Sequence, residues 1–209
     1  ANLGSLLMRL GLAYDSPAGR ELAGSLTALL TAEGYCTSAA LAQIVGPYEH
    51  FAANREPHLR VLVMHRDACW PGQANEHLPE GTVRLGADVL PAELVPVRTA
   101  ARKRWDRAVD LAERCGLRNS QVTVIAPTGT ISLLMDCDTS GIEPDFALVK
   151  FKSLAGGGSM TLVNQGVGAA LARLGYDADF VARAEAHVRE RMTIEGLDGL
   201  HPGHLPVFD

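Results

Sequence analysis

Apolar residues recur at helical spacing through most of this chain. Ser16-Pro17 makes an N-cap and first-turn pair, and Leu22, Leu26, Leu29 and Leu30 then repeat on one face. Gly34 is read as the stop of that helix. Thr37 or Ser38 then caps a short second one through Leu41, Ile44 and Val45, closed by Gly46-Pro47. Residues 54–68 hold Leu59, Leu62, Val63 and Arg66 in helical phase. A long amphipathic helix is predicted over 93–115, with Val97, Ala101, Trp105, Ala108, Leu111 and Ala112 on one side and Gly116 ending it. Two more are predicted over 162–174, ended by Gly175, and over 179–192, with Asp177 or Asp179 as cap. Between the third and fourth, Pro71, Gly72, Pro79, Gly81, Gly86 and Pro91 punctuate a connector with little regular structure.

Strand signals are few. Val122, Thr123, Val124 and Ile125 form a β-branched run that reads as a buried strand. Residues 146–154 read as a second extended segment before Gly156-Gly157-Gly158, which is either a flexible turn or a backbone platform beside a ligand. The expected organisation is a helical segment over 1–70, a Pro/Gly-rich connector over 71–92, and a segment over 93–209 carrying the long helix, the strand and the closing helices. Taken alone, this pattern predicts a mostly helical α+β or partial α/β fold. Neither an internal repeat nor a low-complexity segment is visible.

The first strand empties into Pro127, Thr128, Gly129, Thr130, Ile131 and Ser132. Gly129 permits tight curvature and close approach of a ligand. Thr128, Thr130 and Ser132 supply hydroxyls, and successive backbone N–H groups of such a turn can converge on phosphate oxygens. A helix starting near Ile131 would add the attraction of its positive end. Strand-to-helix punctuation with Thr or Ser as N-cap produces the same residues, so the turn alone leaves both readings open.

At 209 residues, the chain is long enough for one sizeable core, or one core with an appendage. A hydrophobic content of 47% with 21% charged residues is that of a soluble globular protein. A net charge of −5 without a long basic stripe argues against a nucleic-acid partner. The densest basic cluster, Arg98, Arg102, Lys103, Arg104 and Arg107, is interleaved with Asp106 and Asp110 and reads as a solvated helix face. No apolar run reaches membrane-span length and no signal peptide is present, so no membrane is expected as partner. Cys36, Cys69, Cys115 and Cys137 show neither a disulfide framework nor metal-ligand spacing, which makes a reduced, cytoplasmic setting the default.

The turn continues through Leu133 to Asp145, a stretch containing Asp136-Cys137-Asp138 and Gly141-Ile142-Glu143-Pro144-Asp145, and on through Phe146-Ala147-Leu148-Val149-Lys150-Phe151-Lys152 to the triple glycine. This assembly closely resembles the catalytic subunit of adenosylcobalamin-dependent (class II) ribonucleotide reductases. The opening Asn2 to Ser16, the pair Asn54-Arg55-Glu56 and Leu59-Arg60-Val61, and the closing His204-Leu205-Pro206-Val207-Phe208-Asp209 are similar to the same family. The resemblance spans nearly the whole chain and implies an α/β fold, part of a ten-stranded α/β barrel that is helix-rich in this segment. It implies conversion of ribonucleotides to deoxyribonucleotides by thiyl-radical chemistry, with adenosylcobalamin as cofactor and a thioredoxin-type reductant as partner. It also implies that Pro127, Thr128, Gly129, Thr130 and Ile131, with Ser132 adjacent, hold the substrate phosphates.

The family's radical cysteine sits in the pattern Asn-x-Cys-x-Glu, and none of the four cysteines here fits it. The Cys-rich tail that supplies reducing electrons has no counterpart either. The chain is therefore expected to be an internal piece, joined to the remainder of the catalytic subunit and inactive alone; Ala1 in place of an initiator Met leans the same way. A stand-alone nucleotide- or phosphate-binding module, or a helical interaction protein without redox activity, is the alternative. Cys137, flanked by Asp136 and Asp138, reads as a bystander thiol, because adjacent carboxylates oppose thiolate formation. Pro144 should point Glu143 and Asp145 apart, which favours hydrogen bonding to nearby backbone over paired acid/base work. His201 and His204 lack a third metal ligand at suitable spacing. His58 and His65, seven apart, read as meeting solvent or core edges. Asn164-Gln165 either bonds a base or ribose, or caps neighbouring backbone.

Overall fold

A computed structural model describes residues 1–72, 76–153 and 156–209. In chain order the elements are α1 (Leu3–Arg9), α2 (Pro17–Val45), α3 (Phe51–Cys69), α4 (Val95–Cys115), α5 (Thr130–Leu134), β1 (Val149–Ser153), β2 (Ser159–Val163), α6 (Val167–Arg173), α7 (Ala178–Arg191) and a closing 3₁₀ helix (Pro202–Val207). Two compact units emerge: Ala1–Gly19 with Ile125–Asp209, and Arg20–Val124. Residues 71–92 lie inside the second unit, and those of them that are described form neither helix nor strand.

The second unit is built on α3 and α4 with most of α2. Ala101 of α4 is buried, and Trp105, Ala108 and Ala112 of the same helix join Tyr35, Cys36, Phe51, Leu62 and Leu117 in one core. The expected stop at Gly34 does not occur, and α2 runs on through 29 residues. Gly34 is instead a site of close approach: a Cβ there would stand 3.0 Å from a methyl of Val122. Ser38 likewise caps no new helix. Its hydroxyl accepts from the Asn119 amide at 2.8 Å and meets Asn119 Oδ1 at 3.1 Å, which ties residue 119 to α2.

The basic cluster on α4 is not wholly a solvated face. Arg98 is buried and donates to Glu21 at 3.0 Å and to the Ala87 carbonyl at 2.6 Å, while Glu21 also accepts from the Gly86 amide at 2.8 Å. Arg102 donates to the Cys69 carbonyl at 2.7 Å and lies over the Trp70 ring. These two guanidiniums hold the irregular connector against the helices, a use that net charge patterning does not disclose.

His58 is half-buried at the core edge, while His65 is exposed with one face covered by Trp105. The His58 ring stands edge-on to Tyr35, with Nδ1 at 3.1 Å from the Tyr48 hydroxyl, and His65 stacks on Trp105 with ring centroids 5.0 Å apart. Burial lowers both pKa values below 6.5. Folding therefore favours the neutral rings. Stability is fully present above the unfolded-state value of 6.5 and is lost as pH falls from there through the lowered folded-state values. Urea midpoints of the 209-residue chain should be level from pH 8 to about 7 and fall toward pH 5.5, and His65→Phe should flatten that slope. A wild-type midpoint independent of pH over this window would contradict the assignment.

The first unit packs α1, α6 and α7 around Met8, Leu148, Val167, Leu171, Phe180, Val188 and Phe208. Asp177 accepts from the Phe180 amide at 2.8 Å and so caps α7. Beside these helices lies an antiparallel hairpin in which Val149 stands opposite Val163 and Ser153 opposite Ser159. The extended segment expected over 146–154 is realised as β1, with Leu154 outside the described residues. The helix expected from Leu162 begins only at Val167, because Ser159 to Val163 form β2 against β1.

The strand expected over 122–125 is absent: those residues form neither helix nor strand, with Val124 85% and Ile125 63% exposed. A β-branched run becomes a strand only when a neighbour takes up its backbone groups, and none does so among the described residues. The one sheet there is β1–β2, so the ten strands implied by the family resemblance are not formed in this segment, whereas its helix-rich character is.

Candidate functional site

The six predicted turn residues all fall in the first unit. The Gly129 amide donates to the Pro127 carbonyl at 2.7 Å, closing a three-residue turn whose central residue, Thr128, has φ 63°. Gly129 follows at φ 60° and ψ −127°, a conformation that only glycine adopts without strain. A β-branched residue in left-handed backbone costs about 1–3 kcal/mol, so Thr128 marks a locally strained turn. Ser132 is 2% exposed, and both its amide and its hydroxyl donate to the Gly129 carbonyl, at 3.2 and 2.6 Å.

Three donors of the predicted set are thus engaged by the turn's own carbonyls: the Gly129 amide and both the amide and the hydroxyl of Ser132. Ser132 shapes the turn rather than facing solvent. Thr128 turns its hydroxyl back to the Ala126 carbonyl at 3.4 Å. The amides of Thr128, Thr130 and Ile131 and the Thr130 hydroxyl meet no acceptor among the described residues. Nothing lies within 4 Å of where a Gly129 Cβ would stand, so the space before the turn is open. The helix that follows, α5, has only five residues, and its dipole adds little.

Gly129, Thr130 and Ser132 line one side of a cavity of about 700 Å³. Its other walls come from residues 136–146 and from the hairpin, including Lys150 and Lys152. Four carboxylates border it, and each is engaged. Asp138 accepts from the Gln165 amide at 2.8 Å and from Ser5 Oγ at 3.0 Å, with Arg9 at 3.5 Å. Asp136 accepts from Gln165 Nε2 at 3.1 Å. Glu143 accepts from the Ser140 and Gly141 amides at 2.7 Å each. Burial pushes the Glu143 carboxyl upward, but the surrounding backbone N–H groups outweigh it and leave its pKa lowered.

Asp145, the fourth, is the deepest. Its side chain is 1% exposed; Lys150 Nζ reaches one oxygen at 2.5 Å and Asn164 Nδ2 the other at 2.5 Å. Lys150 also donates to the Asp138 carbonyl and sits 5.4 Å from the Phe146 ring centroid. Asn164 accepts in turn from the Gly166 amide at 2.6 Å. Glu143 and Asp145 therefore do point apart, each to its own donors, and Asn164 and Gln165 act within the protein. The sequence reading did not anticipate Lys150. Its signal was Lys at alternate positions of Val149-Lys150-Phe151-Lys152-Ser153, the mark of a strand with one polar face.

The remaining candidates are held elsewhere. Cys36 and Cys69 are buried, and burial pushes the Cys69 thiol up to about 11. Cys137 packs beside the turn, with its amide donating to the Ser132 carbonyl at 2.9 Å. His201 accepts from the Gly203 amide at 3.1 Å, and His204 Nδ1 lies 2.9 Å from the Tyr176 hydroxyl. Among the described residues no group of three or more His, Cys, Asp or Glu side chains is placed to hold a metal ion. No helix there is long and apolar enough to cross a membrane. Gly157 and Gly158, at φ 88°, belong to the connection between β1 and β2 and do not line the cavity.

Comparison with known proteins fits this arrangement into a family. The sequence profile described as "Ribonucleotide reductase, barrel domain" matches residues 1–209. A vitamin B12-dependent ribonucleotide reductase of Rhodopirellula baltica is 51% identical over the whole of this chain, which covers 18% of that protein. One from Streptomyces coelicolor is 48% identical, with 20% of its length covered. A ribonucleoside-diphosphate reductase subunit alpha of Chlamydia pneumoniae is 27% identical over 96% of this chain. The chain spans about a fifth of the length of these relatives. With its entire length matched by that profile, the chain belongs to the ribonucleotide reductase barrel-domain family.

Proposed function

We propose that this chain is a segment of a vitamin B12-dependent ribonucleoside-diphosphate reductase catalytic subunit, and that its 127–132 turn holds the diphosphate of the ribonucleotide substrate. The observation that carries the reading is the set of unengaged amides at Thr128, Thr130 and Ile131 beside the open face of Gly129. Oriented N–H groups around a concave turn bind phosphate oxygens without side-chain charge. Binding energy gathered at the diphosphate positions the ribose, so that chemistry elsewhere acts on a fixed sugar. The parent enzyme replaces the ribose 2′-hydroxyl by hydrogen through thiyl-radical chemistry in the cytoplasm, drawing electrons from a thioredoxin-type reductant.

The radical and reducing cysteines belong to the remainder of the catalytic subunit, since none of the four here has the required sequence context. The irregular run at 122–125, exposed from Thr123 to Ile125, suits a barrel strand whose neighbours that remainder supplies. Adenosylcobalamin supplies the radical in the parent. The described residues do not fit that group: six of the seven histidines already contact other protein groups, and the cavity beside the turn is bordered by carboxylates. The cofactor is therefore assigned to other parts of the subunit.

Calorimetric titration of the chain with ADP and with inorganic pyrophosphate tests the turn. Wild type should bind both. Gly129→Val should weaken binding by about tenfold or more, since a β-branched side chain cannot hold this backbone without strain of about 1–3 kcal/mol. Thr128→Ala, which removes a hydroxyl already turned to Ala126, should matter less. Equal affinity in wild type and the Val variant would refute the reading.

A further inference from the structure

The chain has three lysines beside a much larger set of arginines, and two of the three stand at alternate positions of β1. Alternation puts Lys150 and Lys152 on one face of the strand, and both line the cavity that holds the predicted turn. Their situations differ. Lys150 is consumed by Asp145, the Asp138 carbonyl and the Phe146 ring. Lys152 is half-buried, yet no carboxylate among the described residues lies within ion-pair distance of it. The carboxylates around the cavity are engaged by Lys150, Arg9, Asn164, Gln165 and the Ser140 and Gly141 amides. A half-buried ammonium without a counter-charge is poorly compensated in the protein alone.

We propose that Lys152 supplies the counter-charge for the anion held at the 127–132 turn, meeting the outer phosphate of a nucleoside diphosphate while the turn amides hold the same group from the opposite wall. The inference rests on the phosphate reading above. Lysine suits the role because an ammonium on a flexible stem follows a phosphate as a point charge without needing a fixed fork geometry. A hairpin lysine also makes grip on the substrate depend on β1 as well as on the turn.

The test is calorimetry of the 209-residue chain with inorganic pyrophosphate at two salt concentrations, comparing wild type, Lys152→Gln, Lys152→Arg, Lys103→Gln and Gly129→Val. Lys103→Gln removes the same charge from an exposed helix position and controls for net charge. The expected result is about tenfold weaker binding for Lys152→Gln with a shallower salt dependence, near-wild-type binding for Lys152→Arg, and no change for Lys103→Gln. Circular dichroism confirms that each variant is folded. If Gly129→Val loses affinity while Lys152→Gln keeps it, or if Lys103→Gln loses as much as Lys152→Gln, the lysine assignment is overturned and the turn reading stands. If wild type fails to bind pyrophosphate, or Gly129→Val binds as wild type does, both fall together.

Discussion

Lys150→Met should destabilise the unit formed by Ala1–Gly19 and Ile125–Asp209 by about 3–5 kcal/mol, enough to leave it largely unfolded in modest denaturant. The side chain of Asp145 is 1% exposed, and Lys150 at 17%, 2.5 Å away, is its sole charged partner among the described residues. Removing the ammonium leaves a carboxylate with, among the described residues, the Asn164 amide alone to compensate burial, and the desolvation penalty of an ion is several kcal/mol. The asymmetry gives a second readout. Lys150→Met combined with Asp145→Leu removes both charges at once and should recover a large part of the loss, because an ion pair exchanged for apolar groups is often nearly neutral. Amide exchange followed by mass spectrometry over residues 139–190 measures the unit by itself. Unchanged protection in Lys150→Met would show that the pair contributes nothing.

Trp105→Ala is expected to weaken the Arg20–Val124 unit by about 3–5 kcal/mol, the usual cost of deleting a fully buried large aromatic. Trp105 is 1% exposed, stacked on His65 at 5.0 Å and tilted against Tyr35 at 6.0 Å. Deleting the indole opens a cavity in the core and removes both aromatic contacts. Trp105→Phe should lose markedly less, since the indole N–H is buried with no hydrogen-bond partner among the described residues and its removal strands nothing. Urea unfolding followed by far-ultraviolet circular dichroism distinguishes the two variants; equal midpoints would argue that packing around the ring relaxes freely.

The helices were legible because each has a one-sided apolar pattern that closes its own hydrogen bonds, as in α4, where Trp105, Ala108 and Ala112 all face the core. Gly34 misled for a physical reason: a glycine also serves where another side chain comes close, and only the position of Val122 distinguishes that from a helix stop. The strand at 122–125 failed because β structure is a property of pairs of segments, and its sequence says nothing about whether a partner is present. The same non-locality hid β2, whose Met160, Thr161 and Leu162 take their conformation from Lys152, Phe151 and Lys150 opposite them.

At the site, the sequence located the turn and its glycine, since local backbone demands leave local residue signatures. It did not reveal that Ser132 faces inward onto the Gly129 carbonyl, nor that four carboxylates scattered over residues 136–145 would each find a donor. Those pairings join α1, the hairpin and residues 164–165, which only the folded chain brings together.

The clamp on Lys150 also decides the alignment of the hairpin. Sliding β1 by one position would carry the Phe151 ring, now 64% exposed, to Asp145 and swing the ammonium to the opposite side of the ribbon. A two-stranded ribbon with glycines at its tip slips easily, so the buried charge acts as a detent beside the burial of Val149 in the core, and the two together keep Val149 facing Val163.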